Sequence, residues 1–180
     1  MTETRSARPP LFEASAQVAV ASSPEQVYRV VTDLPRSGEW SVECRGGRWV
    51  SGEAGAVGSV FRGENFRSPE VVAWAPVVRG DWTTESEVVA AEPARRFAWA
   101  MRTKAGQKQE SIWSFEIEPG PDGSVLAHRF RMDAATEGIQ GITASMNAEE
   151  KQRFFAEWSA KLERDLAETL DRLKKILDEG

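Results

Sequence analysis

The chain has 180 residues, with 23 basic against 28 acidic side chains and a formal net charge of −5, which fits one domain with a sizeable core and gives no basic footprint for nucleic acid. One Cys and one His cannot build a Cys/His zinc site or an intrachain disulfide, so a metal could rest only on carboxylates; no metal site and no cofactor are expected. Residues 1–10 lack an apolar signal core and no run of about 18 apolar residues occurs, so no membrane span is expected and the chain reads as cytoplasmic.

Residues 1–10 mix charge, Ser and two prolines without periodicity, which predicts a flexible lead-in before a single domain over 11–180. From Phe12 to Ala21 the even positions Phe12, Ala14, Ala16, Val18 and Val20 oppose Glu13, Ser15 and Gln17, the period-2 pattern of a strand with one buried face. Ser22 and Ser23 then offer an N-cap, Pro24 suits the first turn, and Glu25 complements the helix dipole. Pro35 and Gly38 break the pattern, so two short helices are expected before Trp40.

Beyond Trp40 the chain changes to short strand-like runs separated by Gly and Pro: 42–49, 58–65, 82–91, 96–102, 109–118 and 124–133. Gly120-Pro121-Asp122-Gly123 and the segment 103–108 are turns. Between Phe66 and Arg79, two prolines flank Val71-Val72-Ala73-Trp74 and no alternation survives, which predicts a loop or an edge strand. The connection 134–146, rich in small residues, reads as a long loop that is either a gate or a plain surface loop.

From Asn147 to Asp178 the period becomes helical. Phe154, Trp158, Leu162, Leu166, Leu170, Leu173 and Leu177 recur at steps of three or four, an apolar stripe on a helix of roughly 45 Å. The chain's own sheet is a natural partner for that stripe, and a coiled coil is the alternative. The predicted fold class is therefore α+β: a curved antiparallel sheet of about seven strands on a long C-terminal helix, with two short helices after the first strand.

These residues also carry a resemblance. The entry Ser22-Ser23-Pro24-Glu25-Gln26-Val27-Tyr28, Asp33-Leu34 followed by Trp40, and the strand Gly58 to Asn65 are its first marks. Trp82-Thr83-Thr84 with Val88, the turn Glu92-Pro93-Ala94-Arg95-Arg96-Phe97-Ala98-Trp99, and Trp113 to Pro119 complete it. Over Phe12 to Leu177 the chain resembles the START/Bet v 1-like (SRPBCC) superfamily, most closely its bacterial polyketide cyclase/dehydrase-like branch. The resemblance implies a helix-grip fold with a cavity between sheet and helix, in a superfamily of ligand carriers, cyclases, hydrolase-like enzymes and cochaperones.

Phosphate-loop, H-E-x-x-H and G-x-S-x-G signatures are absent, and Gly52, Gly55 and Gly58 do not form a dinucleotide fingerprint. Nothing in the sequence activates Cys44. His128 shares parity with Leu126, Phe130 and Met132, so it is expected to point inward, either as a hydrogen-bonded core histidine or as a general acid/base or ligand contact. Glu64 is assigned inward parity with Val60 and Phe66, with Asn65 on the other side; Arg62 beside it is either its surface ion partner or an anchor for a ligand carboxylate.

The expected ligand-facing set is Trp82, Thr84, Ser86, Phe97, Trp99, Met101, Trp113, Phe115, Phe130 and Met132, opposed by Phe154 and Trp158 on the last helix. With seven Trp and eight Phe against a single Tyr, most aromatic surface is apolar and suits a pocket wall as well as a core. The first functional expectation is a carrier or sensor of a hydrophobic small molecule, such as a lipid or a polyketide-like aromatic, acting as a monomer or homodimer. The alternatives are a cyclase/dehydrase enzyme with His128 and Glu64 as acid/base groups, and a protein-interaction module.

Overall fold

Ser23 opens the first helix by reciprocal capping: its Oγ accepts the Gln26 N–H at 3.3 Å, and Gln26 Oε1 accepts the Ser23 N–H at 3.0 Å. This satisfies two of the donors that every helix start leaves unpaired. The computed structural model describes residues 8–180; most of the expected lead-in, residues 1–7, lies outside the described residues. The elements run β1 (Phe12–Val20), α1 (Pro24–Thr32), a 3-10 helix (Leu34–Glu39), β2 (Cys44–Ser51), β3 (Val60–Arg67), β4 (Gly80–Glu92), β5 (Arg96–Arg102), β6 (Lys108–Gly120), β7 (Gly123–Met132), α2 (Glu137–Thr143) and α3 (Ala148–Glu179).

The seven strands form one antiparallel sheet in the order β1-β7-β6-β5-β4-β3-β2. The chain closes it by bringing β7 back beside β1, with Ala16 opposite His128. Two glycines are required by close approach. A Cβ on Gly47 would stand 2.0 Å from the Arg62 carbonyl oxygen, and one on Gly123 would stand 2.4 Å from that of Val20. Both also have positive φ, at 151° and 150°, where side-chain-bearing residues are strained.

α3 starts at Asn147, whose side chain accepts the Glu150 N–H at 2.9 Å while Glu150 Oε1 accepts the Asn147 N–H at 3.3 Å. Its apolar stripe from Phe154 to Leu177 is buried, and the helix runs along β1 and over β7, so it packs on the sheet. The buried apolar side chains fall into two cores. In the first, Val27, Val31, Leu34 and Trp40 meet Phe97, Phe115, Ile117, Leu126 and the end of α3 from Leu170 to Leu177. In the second, Phe12, Phe130 and Met132 meet Phe154 to Leu166, Ile139 of α2, and Ala75 and Val77.

Two connections are more ordered than their composition predicts. Phe66 and Arg67 extend β3, and the segment 68–79 is a loop rather than an edge strand. That loop wraps one guanidinium: Arg79 donates to the carbonyls of Pro69, Val71, Val72, Ala75 and Val77 at 2.7–3.2 Å. The segment 134–146 contains α2, capped by Thr136 and anchored by buried Ile139.

Candidate functional site

The inner face of the sheet carries its rings in cross-strand ranks. Trp99 stands between Val88 and Trp113, Phe115 between Phe97 and His128, and Phe130 beside Trp113, while Met101 pairs with Ser86. Trp82, Thr84 and Ser86 lie on the same side of β4, so the expected ligand-facing set does share one face, with Phe154 and Trp158 on α3. Burial divides that set. Phe97 and Phe115 belong to the first core, and Phe130, Met132, Phe154 and Trp158 to the second. Between them Trp82, Thr84, Trp99, Met101 and Trp113 stay only half-buried although they point inward, and this stretch of the face is the candidate site.

His128 sits at the centre, buried as its parity predicts. Its ring is stacked on Phe115 and lies 5.7 Å from Trp113 and 6.3 Å from Trp99, centroid to centroid. Nδ1 lies 2.9 Å from the Ser114 carbonyl oxygen; a carbonyl can only accept, so Nδ1 carries the proton and Nε2 keeps its lone pair. Burial lowers its pKa to about 4, against a smaller upward effect of the Ser114 bond. The ring is neutral at pH 7: a weak base and a ready hydrogen-bond acceptor.

The inward orientation expected of Glu64 is overturned. Asn65 and Arg67 are buried on the inner side together with Phe61 and Gly63, while Glu64 is exposed opposite Thr83. Phe66, which suggested the other parity, lies outside under the Arg45 guanidinium, 4.3 Å from its centroid, and Val60 is buried beside Ser51 at the strand's start. Both parities therefore carry buried or stacked apolar residues, and alternation alone misleads. Arg62 pairs on the outer face with Glu85 at 2.9 Å. In Glu64's place the inner face holds Asn65, whose Nδ2 donates to Thr84 Oγ1 at 3.1 Å and to the Trp82 and Gly63 carbonyls at 3.4 Å.

Beside Asn65 lies an ionic cluster that joins the sheet to α3. Arg67 donates through Nε and Nη2 to Glu43 at 2.6 and 3.3 Å and through Nη1 to the Val78 carbonyl at 3.0 Å. Its guanidinium lies over two indoles, 4.7 Å from Trp82 and 5.0 Å from Trp158. Lys161 donates to Glu43 at 2.8 Å and to Asp165. Burial alone would push Glu43 up, but the Arg67 hydrogen bonds and the Lys161 and Arg67 charges together hold its carboxyl below the usual range. Burial pushes Asp165 up, against the opposing charge and hydrogen bond of Lys161. Trp82 Nε1–H is buried with no partner, a state that typically costs about 1–3 kcal/mol.

Sequence reading missed this cluster, although one signal was present. Lys161 stands three residues after Trp158 and seven after Phe154, on the apolar stripe itself, where an unpaired ammonium is not tolerated. Two surface concavities, of about 390 and 260 Å³, surround the 3-10 helix and are lined by residues such as Pro35, Arg36, Glu39 and Trp40. Neither touches the rings of β4 to β7. Among the described residues no three His, Cys, Asp or Glu side chains gather to hold a metal, and no helix is long and apolar enough to cross a membrane.

The sequence matches, over residues 12–178, the family model described as polyketide cyclase / dehydrase and lipid transport. No curated protein matches it. Among solved structures, the polyketide-cyclase-like protein Cgl2372 from Corynebacterium glutamicum is 26% identical, with 92% of this chain and 90% of that one covered and a TM-score of 0.56. The di-domain ARO/CYC BexL from the BE-7585A biosynthetic pathway is 16% identical with a TM-score of 0.65; 94% of this chain covers 50% of it. The Aha1 dimer from Colwellia psychrerythraea is 16% identical with a TM-score of 0.55, covering 93% of this chain and 97% of that one. The last two likenesses concern the fold alone, which is the helix-grip fold.

Proposed function

This chain belongs to the polyketide cyclase / dehydrase and lipid transport family, and on that premise we propose that it binds a hydrophobic, ring-bearing or lipid-like small molecule on the inner face of the sheet, as a carrier or sensor. The observation that carries this reading is the incomplete burial of Trp82, Trp99, Met101 and Trp113, with Trp99 packed against the first core and Trp113 against the second. Large inward-facing apolar surface left partly open is unfavourable unless something covers it. His128 adds a neutral, polar ring beside Trp99 and Trp113. The loop 68–79 and α2 pack over the second core, through Ala75, Val77 and Ile139, and so flank this stretch.

The acid/base pair needed for a cyclase/dehydrase reaction is not formed by His128 and Glu64, which lie on opposite faces of the sheet. This favours binding over catalysis.

Native mass spectrometry of gently purified protein, followed by solvent extraction, tests the reading. A stoichiometric apolar adduct, or saturable quenching of tryptophan fluorescence by 2-acetylnaphthalene, is the expected result. An apo mass together with no saturable response overturns it.

A further inference from the structure

The corner where β3 and β4 meet α3 has more hydrogen-bond donors than acceptors. A guanidinium carries five N–H groups; Arg67 uses one for each of its three bonds, to Glu43 twice and to Val78 once, which leaves two. Lys161 has three and commits two, to Glu43 and Asp165. Trp82 Nε1–H has none of its needs met. The nearby acceptors are engaged by other donors: Glu43 Oε1 accepts from Arg67 and Lys161, Glu43 Oε2 from Arg67, and Thr84 Oγ1 from Asn65, and none of them takes the Trp82 N–H. Arg67 and Lys161 are 7% and 5% exposed, so bulk water is a poor substitute. Buried donors in this number are normally matched by oxygen atoms.

The rings decide what kind of oxygen can come. Trp82 and Trp158 both stand against the guanidinium, 4.7 and 5.0 Å from it, so a group that reaches its free N–H bonds also lies against indole surface. A hydroxyl would bring a further hydrogen into a donor-rich corner. An sp² oxygen brings lone pairs only.

We propose that the corner formed by Arg67, Trp82 and Lys161 recognises an sp² oxygen, a ketone or a carboxylate, at one end of an apolar ligand lying along the rings of the inner face. The inference rests on the binding reading above and adds the polarity of one end of the ligand. The ion pairs already present position the two cations; the ligand oxygen completes the set and takes the Trp82 N–H.

Three naphthalenes of similar size separate the possibilities: 2-naphthoate, 2-acetylnaphthalene and 2-ethylnaphthalene, titrated into the full chain at pH 7.5. The first carries a charged acceptor, the second a neutral one, the third none. Either acceptor compound should bind about fivefold or more tightly than 2-ethylnaphthalene, the scale of one hydrogen bond. Trp82→Phe, which keeps a ring and removes the N–H, should bring the ratio of acceptor to 2-ethylnaphthalene affinity, measured within that variant, down to about one.

The Trp82 indole N–H resonance, assigned on the wild-type chain, gives a readout that needs no variant. It should move downfield with the acceptor compounds and stay in place with 2-ethylnaphthalene. A gain confined to 2-naphthoate assigns a carboxylate end, and equal gains assign a neutral carbonyl; both support the inference. If all three bind alike and the indole resonance does not respond, the inference is overturned while the binding reading stands. If none binds, the binding reading fails and the inference falls with it.

Discussion

His128 lies flat on Phe115, its cross-strand neighbour on β6, with ring centroids 4.0 Å apart and planes 10° from parallel. Stacking on an apolar ring removes the imidazole from water, and the Ser114 carbonyl fixes its tautomer. The result is a histidine that resists protonation.

That resistance has a sign in stability. With a folded pKa of about 4 against an unfolded value near 6.5, the unfolded chain binds the extra proton between these limits. The contribution of His128 to stability is therefore complete above about pH 6.5 and is lost as pH falls towards 4, by roughly 2–3 kcal/mol at pH 4.5. Urea unfolding at pH 7 and 4.5 should show this loss in the wild type beyond that of His128→Gln, which does not titrate. Equal losses in both proteins would refute the assignment.

Lys161 and Asp165 should respond unequally. Lys161→Met leaves Glu43 and Asp165 without their ammonium, and because both carboxylates keep some exposure the expected destabilisation at pH 7 is about 2–3 kcal/mol, below the range for fully buried pairs. Burial works against the Asp165 charge and an asparagine oxygen can still accept from Lys161, so Asp165→Asn should cost less than Lys161→Met, about 1 kcal/mol. Denaturant midpoints of the two variants decide it; a larger loss for Asp165→Asn contradicts the geometry.

Arg79 tests whether one side chain organises a whole loop. Its five carbonyl contacts hold Val72 at a φ of 42°, strained for a β-branched residue. Arg79→Lys keeps the charge but not the planar fork. Amide exchange and protease nicking should rise within 68–79 in that variant, with the strands unaffected. Unchanged protection across the loop counts against the clamp.

Glu64→Gln and Asn65→Leu test the orientation of β3. The first removes an exposed carboxylate and should leave both ligand affinity and melting temperature unchanged. The second removes the hydrogen bonds to Thr84 and Trp82 on the inner face and should lower affinity for 2-acetylnaphthalene several-fold. The reverse pattern would place Glu64 inside.

The elements that could be read from sequence were those with strong local grammar. The capping residues of α1 and α3, the alternation of β1 and β7, and the glycines of the β6–β7 turn specify their own conformations. Inward His128 followed from the same logic. β3 failed because its apolar residues fall on both parities, and only its partners, Trp82 inside and Arg45 outside, determine which side is which. The Glu43–Arg67–Lys161–Asp165 cluster draws on residues 118 positions apart, and no local pattern announces such a meeting. The loop 68–79 was unreadable because its order comes from one arginine at its end, not from alternation.

α3 contributes Phe154 to Leu166 to one apolar core and Leu170 to Leu177 to the other. A helix shared in this way links the two halves mechanically, since neither core can come apart without releasing the same rod. Global unfolding should then be a single cooperative event, with the half-buried rings between the cores as the place where the native protein can breathe without crossing that barrier.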